Sequence, residues 1–541
     1  MGVYLDSKTA YTLYRNETAK PYFVDKSLLL KELFPLVREG NNHICITRPR
    51  RFGKTVMANM IAAFFSRVCD AQDIFQGLKI SGVDEYDRFR NQYSVIHISF
   101  NDISGQCASY PEYIGRIEKR LIKDLKIAYP DVELEGDAVD AFIDIYAADD
   151  NARFIFVLDE WDFIFHQDFV TETDKKAFLA FLRSLLKDRP YVLLVYMTGI
   201  LPIAKYSSGS ELNMFVEYTM VTEERFSDCF GFTEKEVDLL FDRYVKNTAK
   251  SRQVTREGLK SWYDGYHTRS GERLYNPRSV VTSLTNNNLG NYWTSSGPYD
   301  EIYYYIEKNI AEVRDDLAVM VSGSAVPIKI WEYAATSMNL KTKEEIFSAM
   351  VVYGFLSYEN GMVSIPNKEL MGRFVDMLRK EPSLGYIYRL AKESERMLKA
   401  TLSGDTRTMS EILEIAHDTE VPMLSYNNET ELAAIVNLVY LAARDTYRVE
   451  REDKAGVGYA DFIFYPDTDK NADCIILELK IDHSPEDAIQ QIKDKKYDLR
   501  FYGKLGEESR YPGRILGVGI SYDRGLKKHR CMIEILRGRC K

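Results

Sequence analysis

The chain has 541 residues, 45% of them hydrophobic and 28% charged, with a formal net charge of −10. That length exceeds what one hydrophobic core supports, so about two to four domains are expected, and the composition is that of a globular rather than a disordered protein. The acidic balance excludes a histone-like partner of nucleic acid, although local basic regions can still meet phosphate. Arg500 to Lys541 is such a region, with eleven Lys/Arg against four Asp/Glu.

From the N-terminus, no basic segment leads into an apolar core, and the longest apolar stretch, Val192 to Ala204, is short and broken by Thr198, Gly199 and Pro202. The expectation is a cytoplasmic protein without a membrane partner. The seven cysteines are scattered and form no C-x-x-C pair, which indicates neither a disulfide framework nor a zinc site. Tyr22-Phe23-Val24-Asp25-Lys26 leads into an amphipathic helix over Ser27 to Arg38. A strand, Ile44 to Thr47, then meets a basic turn, Arg48 to Arg51, followed by Phe52-Gly53-Lys54-Thr55 and an apolar helix. Strand, loop and helix in that order make a phosphate-binding loop. Backbone N–H groups and the helix start face the phosphates, Lys54 reaches their β/γ oxygens, and the Thr55 hydroxyl holds Mg²⁺. Arg48 stands where the general G-x-x-x-x-G-K-[ST] pattern has its first glycine.

Ser94 to Phe100 reads as a buried strand, Glu112 to Ala128 and Asp137 to Ala148 as helices, and Arg153 to Leu158 as a strand running into Asp159-Glu160. Hydrophobic residues ending in two carboxylates suit a second nucleotide-site strand: Asp159 for the Mg²⁺ shell, Glu160 to orient or deprotonate the attacking water. A helix over Thr173 to Lys187 and a strand over Tyr191 to Met197 follow, ending at Thr198-Gly199. This alternation predicts a mostly parallel sheet with its ligand beyond the strand C-terminal ends.

The set Tyr22 to Lys26, Arg48 to Thr55, Leu158-Asp159-Glu160-Trp161-Asp162 and Thr198-Gly199-Ile200 resembles the bacterial and archaeal AAA-ATPase-like family, whose chains commonly carry a C-terminal PD-(D/E)xK nuclease domain. Members typically have R-P-R-R-F-G-K-[ST], so Arg48 follows the family habit. The resemblance implies a P-loop core that takes ATP with Mg²⁺ at Arg51, Phe52, Gly53, Lys54, Thr55, Asp159, Glu160 and Thr198. It also implies a phosphate-sensing arginine, for which Arg51 and Arg225 are both candidates.

Phe230 to Thr233 opens a helix with a capping box, Thr233 and Glu236. Trp262-Tyr263-Asp264-Gly265-Tyr266 and Leu274-Tyr275-Asn276-Pro277 read as a small aromatic core. They also resemble segments that follow the ATPase core in the same family, which implies a lid over the nucleotide. Further on, helix, hairpin about Asn360-Gly361, and helix form a winged-helix-like element whose hairpin has no Lys or Arg to meet phosphate, so it reads as a connector. Ser383 to Leu402 and Thr408 to Ala416 form a helical spacer. The expected divisions are 1–228, 229–300, 301–420 and 421–541.

In the last of these, Glu429 to Arg444 reads as a helix, and Tyr447 to Glu452 and Tyr459 to Tyr465 as strands joined through Gly456 and Gly458. Cys474 to Lys480 forms the next strand, in which Glu478 and Lys480 share a face while Leu477 and Leu479 turn to the core. Asp461 and Glu478 are hard oxygen ligands for Mg²⁺ or Mn²⁺, and Lys480 positions a water and offsets charge growing on phosphorus. Ser484-Pro485 starts a helix carrying Gln490 and Gln491, either of which can reach the substrate or a metal-bound water. Gly458 to Phe462, Ile476 to Lys480 and Ala488 to Tyr497 are similar to the PD-(D/E)xK domain of the same family, which implies a further acidic ligand, Glu429 or its neighbour Glu431.

The expected function is an ATP-binding, ATP-hydrolysing protein whose C-terminal domain cleaves nucleic acid, most simply DNA, with nucleotide controlling assembly or access. Defence or mobile-element biology fits by analogy, and an arginine supplied in trans would require a homo-oligomer. The rival expectation is a nucleotide-dependent switch whose C-terminal fold binds nucleic acid or a partner without cutting, and a third is a scaffold that binds ATP without turning it over.

Overall fold

The computed structural model describes residues 2–102, 107–203, 212–220, 223–248, 251–293, 300–330, 340–415, 429–455, 458–466, 469, 471–499 and 512–538. They divide into two compact units, Met1–Pro298 with Ile328–Glu369, and Tyr299–Pro327 with Leu370–Lys541. The segments expected as lid and connector are shared between them.

The first unit is built on five parallel strands: β1 (Asn42–Thr47), β2 (Ser94–Ser99), β3 (Phe154–Asp159), β4 (Val192–Gly199) and β5 (Val216–Thr219), in the order β2-β3-β4-β1-β5. Side chains alternate across a strand, so β3 serves two cores. Phe154, Phe156 and Leu158 pack on one face with Phe142 and Tyr191, while Ile155 and Val157 pack on the other with Ile61 and Phe64 of α1 (Lys54–Phe65). Coverage of both faces explains the near-continuous apolar runs. The parallel register then sets Thr47 beside Gly199 and Ser99 beside Asp159, which gathers the ends of β1, β2, β3 and β4 along one edge of the sheet.

A helix over Lys8–Thr18, capped by Ser7, also belongs to this unit. So does a small antiparallel sheet of Phe232–Thr233, Arg273–Tyr275 and Tyr266–His267, wrapped by helices Glu234–Asn247, Arg256–Tyr263 and Pro277–Asn286. Its core of Tyr244, Tyr263, Tyr275, Val237 and Leu240 includes Tyr22 from the N-terminal segment. The expected capping box is present, with the Thr233 hydroxyl accepting from Glu236 N–H and the Glu236 carboxylate accepting from Thr233 N–H. The hairpin of Ser357–Glu359 and Met362–Ser364 turns through Asn360 and Gly361, both at positive φ (49° and 83°), as a two-residue turn of matching twist requires.

The second unit holds a mixed sheet of β6 (Tyr447–Ala455), β7 (Gly458–Pro466), β8 (Cys474–Ile481), β9 (Ile515–Asp523) and β10 (Lys528–Arg537) in that order, antiparallel except for the parallel pair β8–β9. α2 (Glu429–Val439) precedes the sheet and α3 (Pro485–Asp494) follows β8. α3 rests directly on β9 because residue 519 is glycine: a Cβ there would stand 2.3 Å from the Pro485 carbonyl oxygen. Among the described residues no helix is long and apolar enough to cross a membrane.

Candidate nucleotide cleft and metal-nuclease centre

The phosphate loop leaves β1 at Thr47 and turns through two left-handed residues, Arg51 (φ 70°) and Gly53 (φ 93°), into α1. Lys54 is buried at the helix start, and its ammonium donates to the Arg48 and Pro49 carbonyls at 2.8 and 2.9 Å. Burial pulls its pKa down to about 8, against the opposing pull of Asp162, Asp159 and Glu160.

Arg48, in the position of the missing glycine, is 1% exposed. Its guanidinium donates to the carbonyls of Thr47 and Tyr218 at 2.8 Å and of Phe226 at 3.3 Å, and lies 5.1 Å from the Phe230 ring centroid. Three peptide carbonyls and an aromatic face take the place of a carboxylate partner. Burial lowers its pKa to about 10, which leaves it charged at neutral pH. The arginine therefore ties the root of the loop to β5 and to the segment beyond it.

Asp159 ends β3 fully buried. Its Oδ1 accepts from the Thr198 hydroxyl on β4, and its Oδ2 has no hydrogen-bond partner. Glu160 follows in the left-handed region (φ 53°), accepts from the Asn101 amide, and has its pKa raised by burial first and by Asp159 second. Asp162 holds the exit of β4, its Oδ2 accepting from Ile200 N–H at 2.9 Å and Leu201 N–H at 2.8 Å. A buried carboxylate oxygen without a partner, at a strand end on the same sheet edge as the phosphate loop, is a donor suited to a hard divalent cation, so these residues fit the implied Mg²⁺.

These groups open on a cleft of about 600 Å³. Its lining mixes charged and polar side chains, Arg50, Arg51, Lys54, Thr55, Glu160 and Asp162 with Glu17, Lys20 and Lys26, and apolar ones, Tyr22, Phe23, Val24, Met57, Phe232 and Val281. A cleft that joins charged and apolar side chains suits a nucleotide, which carries both phosphates and a base. Arg278, first after the N1 proline of helix Pro277–Asn286, also lines it. Of the expected positions, Arg51, Phe52, Gly53, Lys54, Thr55 and Glu160 line the cleft, while Asp159 and Thr198 are not among its lining residues. Arg225 lies outside the lining residues: its guanidinium stacks over Phe226 and Tyr218 at 4.9 and 5.7 Å, and donates to the Tyr218 hydroxyl and the Glu32 carbonyl. Sequence reasoning missed Asn101, Arg278 and Asp162 as site-forming groups. The first had a signal in being polar just past an apolar strand, and the second in following a helix-starting proline.

In the second unit the sheet brings Asp461, Glu478 and Lys480 together. Glu478 is 2% exposed on β8, and its Oε1 accepts from the Lys480 ammonium at 3.3 Å and from the Gln491 amide. Asp461 Oδ2 accepts from Leu479 N–H at 2.8 Å, which holds it against the same strand. Burial first, and Asp461 second, push the Glu478 carboxyl up to about 7. Glu478 Oε2 is buried without a partner. Of the two glutamines only Gln491 reaches the centre, since Gln490 donates along the helix surface to Asp494 at 2.8 Å. Tyr497 adds its hydroxyl 3.5 Å from the Gln491 amide. Glu429 opens α2, but its side chain and that of Glu431 lie outside the described residues, as does Gly456. Among the described residues no cluster of three or more His, Cys, Asp or Glu is placed to hold a metal. The described donors are thus two carboxylates, one with an orphaned oxygen, and they fit part of an Mg²⁺ or Mn²⁺ shell.

Residues 12–208 match the family model of a predicted AAA-ATPase, and residues 427–511 match that of the PD-(D/E)XK nuclease superfamily. The chain therefore carries an AAA-ATPase-like domain and a PD-(D/E)XK nuclease superfamily domain. An uncharacterized protein in the vnfD 5' region of Azotobacter chroococcum is 26% identical over 283 residues, and the match spans 51% of each chain, about half the relative's length. Among solved structures, a Walker-type ATPase of Pyrococcus abyssi aligns with 64% of this chain and 94% of its own, at 11% identity and a TM-score of 0.36. The ORC2 protein of Aeropyrum pernix aligns with 64% and 93%, at 11% identity and a TM-score of 0.32.

Proposed function

We propose that the chain binds and hydrolyses ATP in its first unit and cleaves nucleic-acid phosphodiesters, DNA before RNA, in its second, with nucleotide state governing access or assembly. The observation that carries the reading is that each unit buries a carboxylate with one oxygen left unpartnered, Asp159 in the first and Glu478, paired with Lys480, in the second. In the first unit Lys54 and the loop N–H groups bind the phosphates, Thr55 and Asp159 hold the cation, and Glu160, kept in place by Asn101, accepts a proton from the attacking water. Arg278 and Arg51 offset charge on the terminal phosphate, and Thr198 keeps Asp159 oriented. Arg225, exposed beside β5, is the arginine available to a second copy.

In the second unit Asp461, Glu478 and a carboxylate from α2, Glu429 by preference, hold the cation. When bound, it supplies Lewis-acid polarisation of the phosphoryl oxygen. Lys480 positions the water and Gln491 fixes Glu478 from the other side. Cleavage of plasmid, single-stranded DNA and RNA by the full chain with Mg²⁺ or Mn²⁺, with and without ATP, tests this reading. Activity lost in Glu478→Ala and dependent on ATP through Lys54 supports it. A folded, metal-supplied wild type that binds nucleic acid and leaves every substrate intact would overturn cleavage in favour of a binding switch.

A further inference from the structure

The cleft is shaped by a residue that does not touch it. Glu369 is 2% exposed and lies in the last stretch of the first unit. Its Oε1 accepts from the backbone N–H of Tyr292 at 2.6 Å and of Trp293 at 2.7 Å, and both carboxylate oxygens accept from the Ser279 hydroxyl, at 3.1 and 2.8 Å. Two of these partners, Ser279 and Trp293, lead directly to the cleft. Ser279 follows Arg278, which lines it, and the Asn276 side chain caps this turn by accepting from Ser279 N–H. Trp293 donates its indole N–H to the carbonyl of Arg50 at 3.1 Å, at the crest of the phosphate loop.

Three more contacts fix the same crest. Gly354 is so close to Pro49 that a Cβ there would stand 2.7 Å from the proline Cβ. The Tyr266 hydroxyl donates to the Gly354 carbonyl at 2.9 Å while its ring meets Phe52 edge to face at 5.0 Å. The Phe52 carbonyl accepts from Gly231 N–H at 3.3 Å. The loop is therefore held at its root by Arg48 and at its crest by Tyr266 and by Trp293, whose backbone Glu369 holds.

We propose that Glu369 is a positioning residue of the nucleotide site, acting through Trp293 on the Arg50 carbonyl and through Ser279 on Arg278, so that one buried carboxylate fixes the distance between the phosphate loop and the arginine facing it. A carboxylate suits the task because it accepts from two adjacent main-chain N–H groups and a hydroxyl at once, and charge-assisted hydrogen bonds of this kind are the stronger ones. The proposal rests on the nucleotide reading above.

The test is equilibrium binding of ATP with Mg²⁺ to the full chain. Trp293→Phe keeps an aromatic ring against Phe355 but removes the indole N–H that donates to Arg50 along with some buried volume, and it is expected to weaken ATP binding by about tenfold, the scale of one well-placed hydrogen bond, at temperatures well below the unfolding midpoint of the nucleotide-free variant. Glu369→Ala is expected to lose at least as much. Glu369→Gln, which keeps an acceptor for Tyr292 and Trp293, recovers most of it. The double variant Glu369→Ala/Trp293→Phe is expected to lose no more than Glu369→Ala alone, because both act along one path. Wild-type affinity in Trp293→Phe, or losses that simply add, would overturn the positioning role while leaving the ATP site standing. Should Glu369→Ala not fold, Trp293→Phe and Glu369→Gln decide alone. A wild type that binds ATP no better than Lys54→Ala overturns the nucleotide reading, and the positioning role with it.

Discussion

The two carboxylate centres solve the same electrostatic problem with different materials. Asp159 is steadied by a neutral hydroxyl, and Lys54 is parked on two carbonyls of its own loop. Glu478 has its lysine and its glutamine on the same oxygen. The first centre draws its groups from three strands, a loop and the helix Pro277–Asn286; the second draws most of its groups from adjacent strands and one helix. Burial displaces opposite partners: in the first it lowers the lysine, to about 8, and in the second it raises the carboxyl, to about 7. A site assembled from many elements thus depends on backbone architecture, and one assembled from few depends on side-chain identity.

That contrast can be broken experimentally, beginning with the second centre. Glu478→Ala is expected to remove about 4 kcal/mol of transition-state stabilisation, about a thousandfold in cleavage rate, while ATP binding stays at the wild-type level; loss of both together would deny the units their separate chemistries. Next comes Arg48→Gly, which restores the general loop pattern. It is expected to destabilise the first unit by about 3 kcal/mol, because the carbonyls of Thr47, Tyr218 and Phe226 lose their buried donor, and thermal unfolding would reveal an unharmed or improved fold if the arginine were incidental. Lys54→Ala is expected to weaken ATP binding by about 2 kcal/mol, the worth of a charge-assisted contact to phosphate, in a variant still folded at the temperature of the binding measurement.

The smallest effects are titrations of opposite sign. Phosphate binds the charged form of Lys54, so ATP affinity is full below pH about 8 and falls by up to about tenfold per unit above it; Lys54→Arg should flatten this slope in a binding curve. A cation binds the ionised form of Glu478, so metal affinity and cleavage rise with pH through about 7. Profiles of the same sign in the two assays would refute the difference drawn here.

The same contrast governs how much the sequence disclosed. The parallel sheet, the phosphate loop, the Asp159-Glu160 strand end and the Asp461, Glu478, Lys480 alternation follow from short-range periodicity, and β1, β3, β4 and β8 lie where the apolar runs put them. The helix Lys8–Thr18 was not legible because it buries only Ala10 and Tyr14, too little apolar surface to mark a face. The strand Val216–Thr219 was missed because an edge strand in partial contact with solvent, with a charged residue inside it, has no apolar run. Asn101, Arg278 and Glu369 reach the nucleotide site only through the fold: the strand end before the first and the proline before the second are weak local signals, and nothing local to Glu369 distinguishes it from a solvated polar residue. Gln490 and Gln491 are adjacent and chemically identical, and only the seating of α3 on Gly519 decides which faces Glu478.

The substitution of Arg48 for glycine has a further meaning for the thermodynamics of ligand capture. Glycine gives a phosphate loop conformational freedom that a ligand must then remove, and ordering one backbone residue costs about 1–2 kcal/mol. Here the root of the loop is already immobilised by three hydrogen bonds from one guanidinium. The ordering has been done by folding, so nucleotide meets a preformed cradle, and its capture should carry a smaller entropy loss than in a loop that closes around its guest.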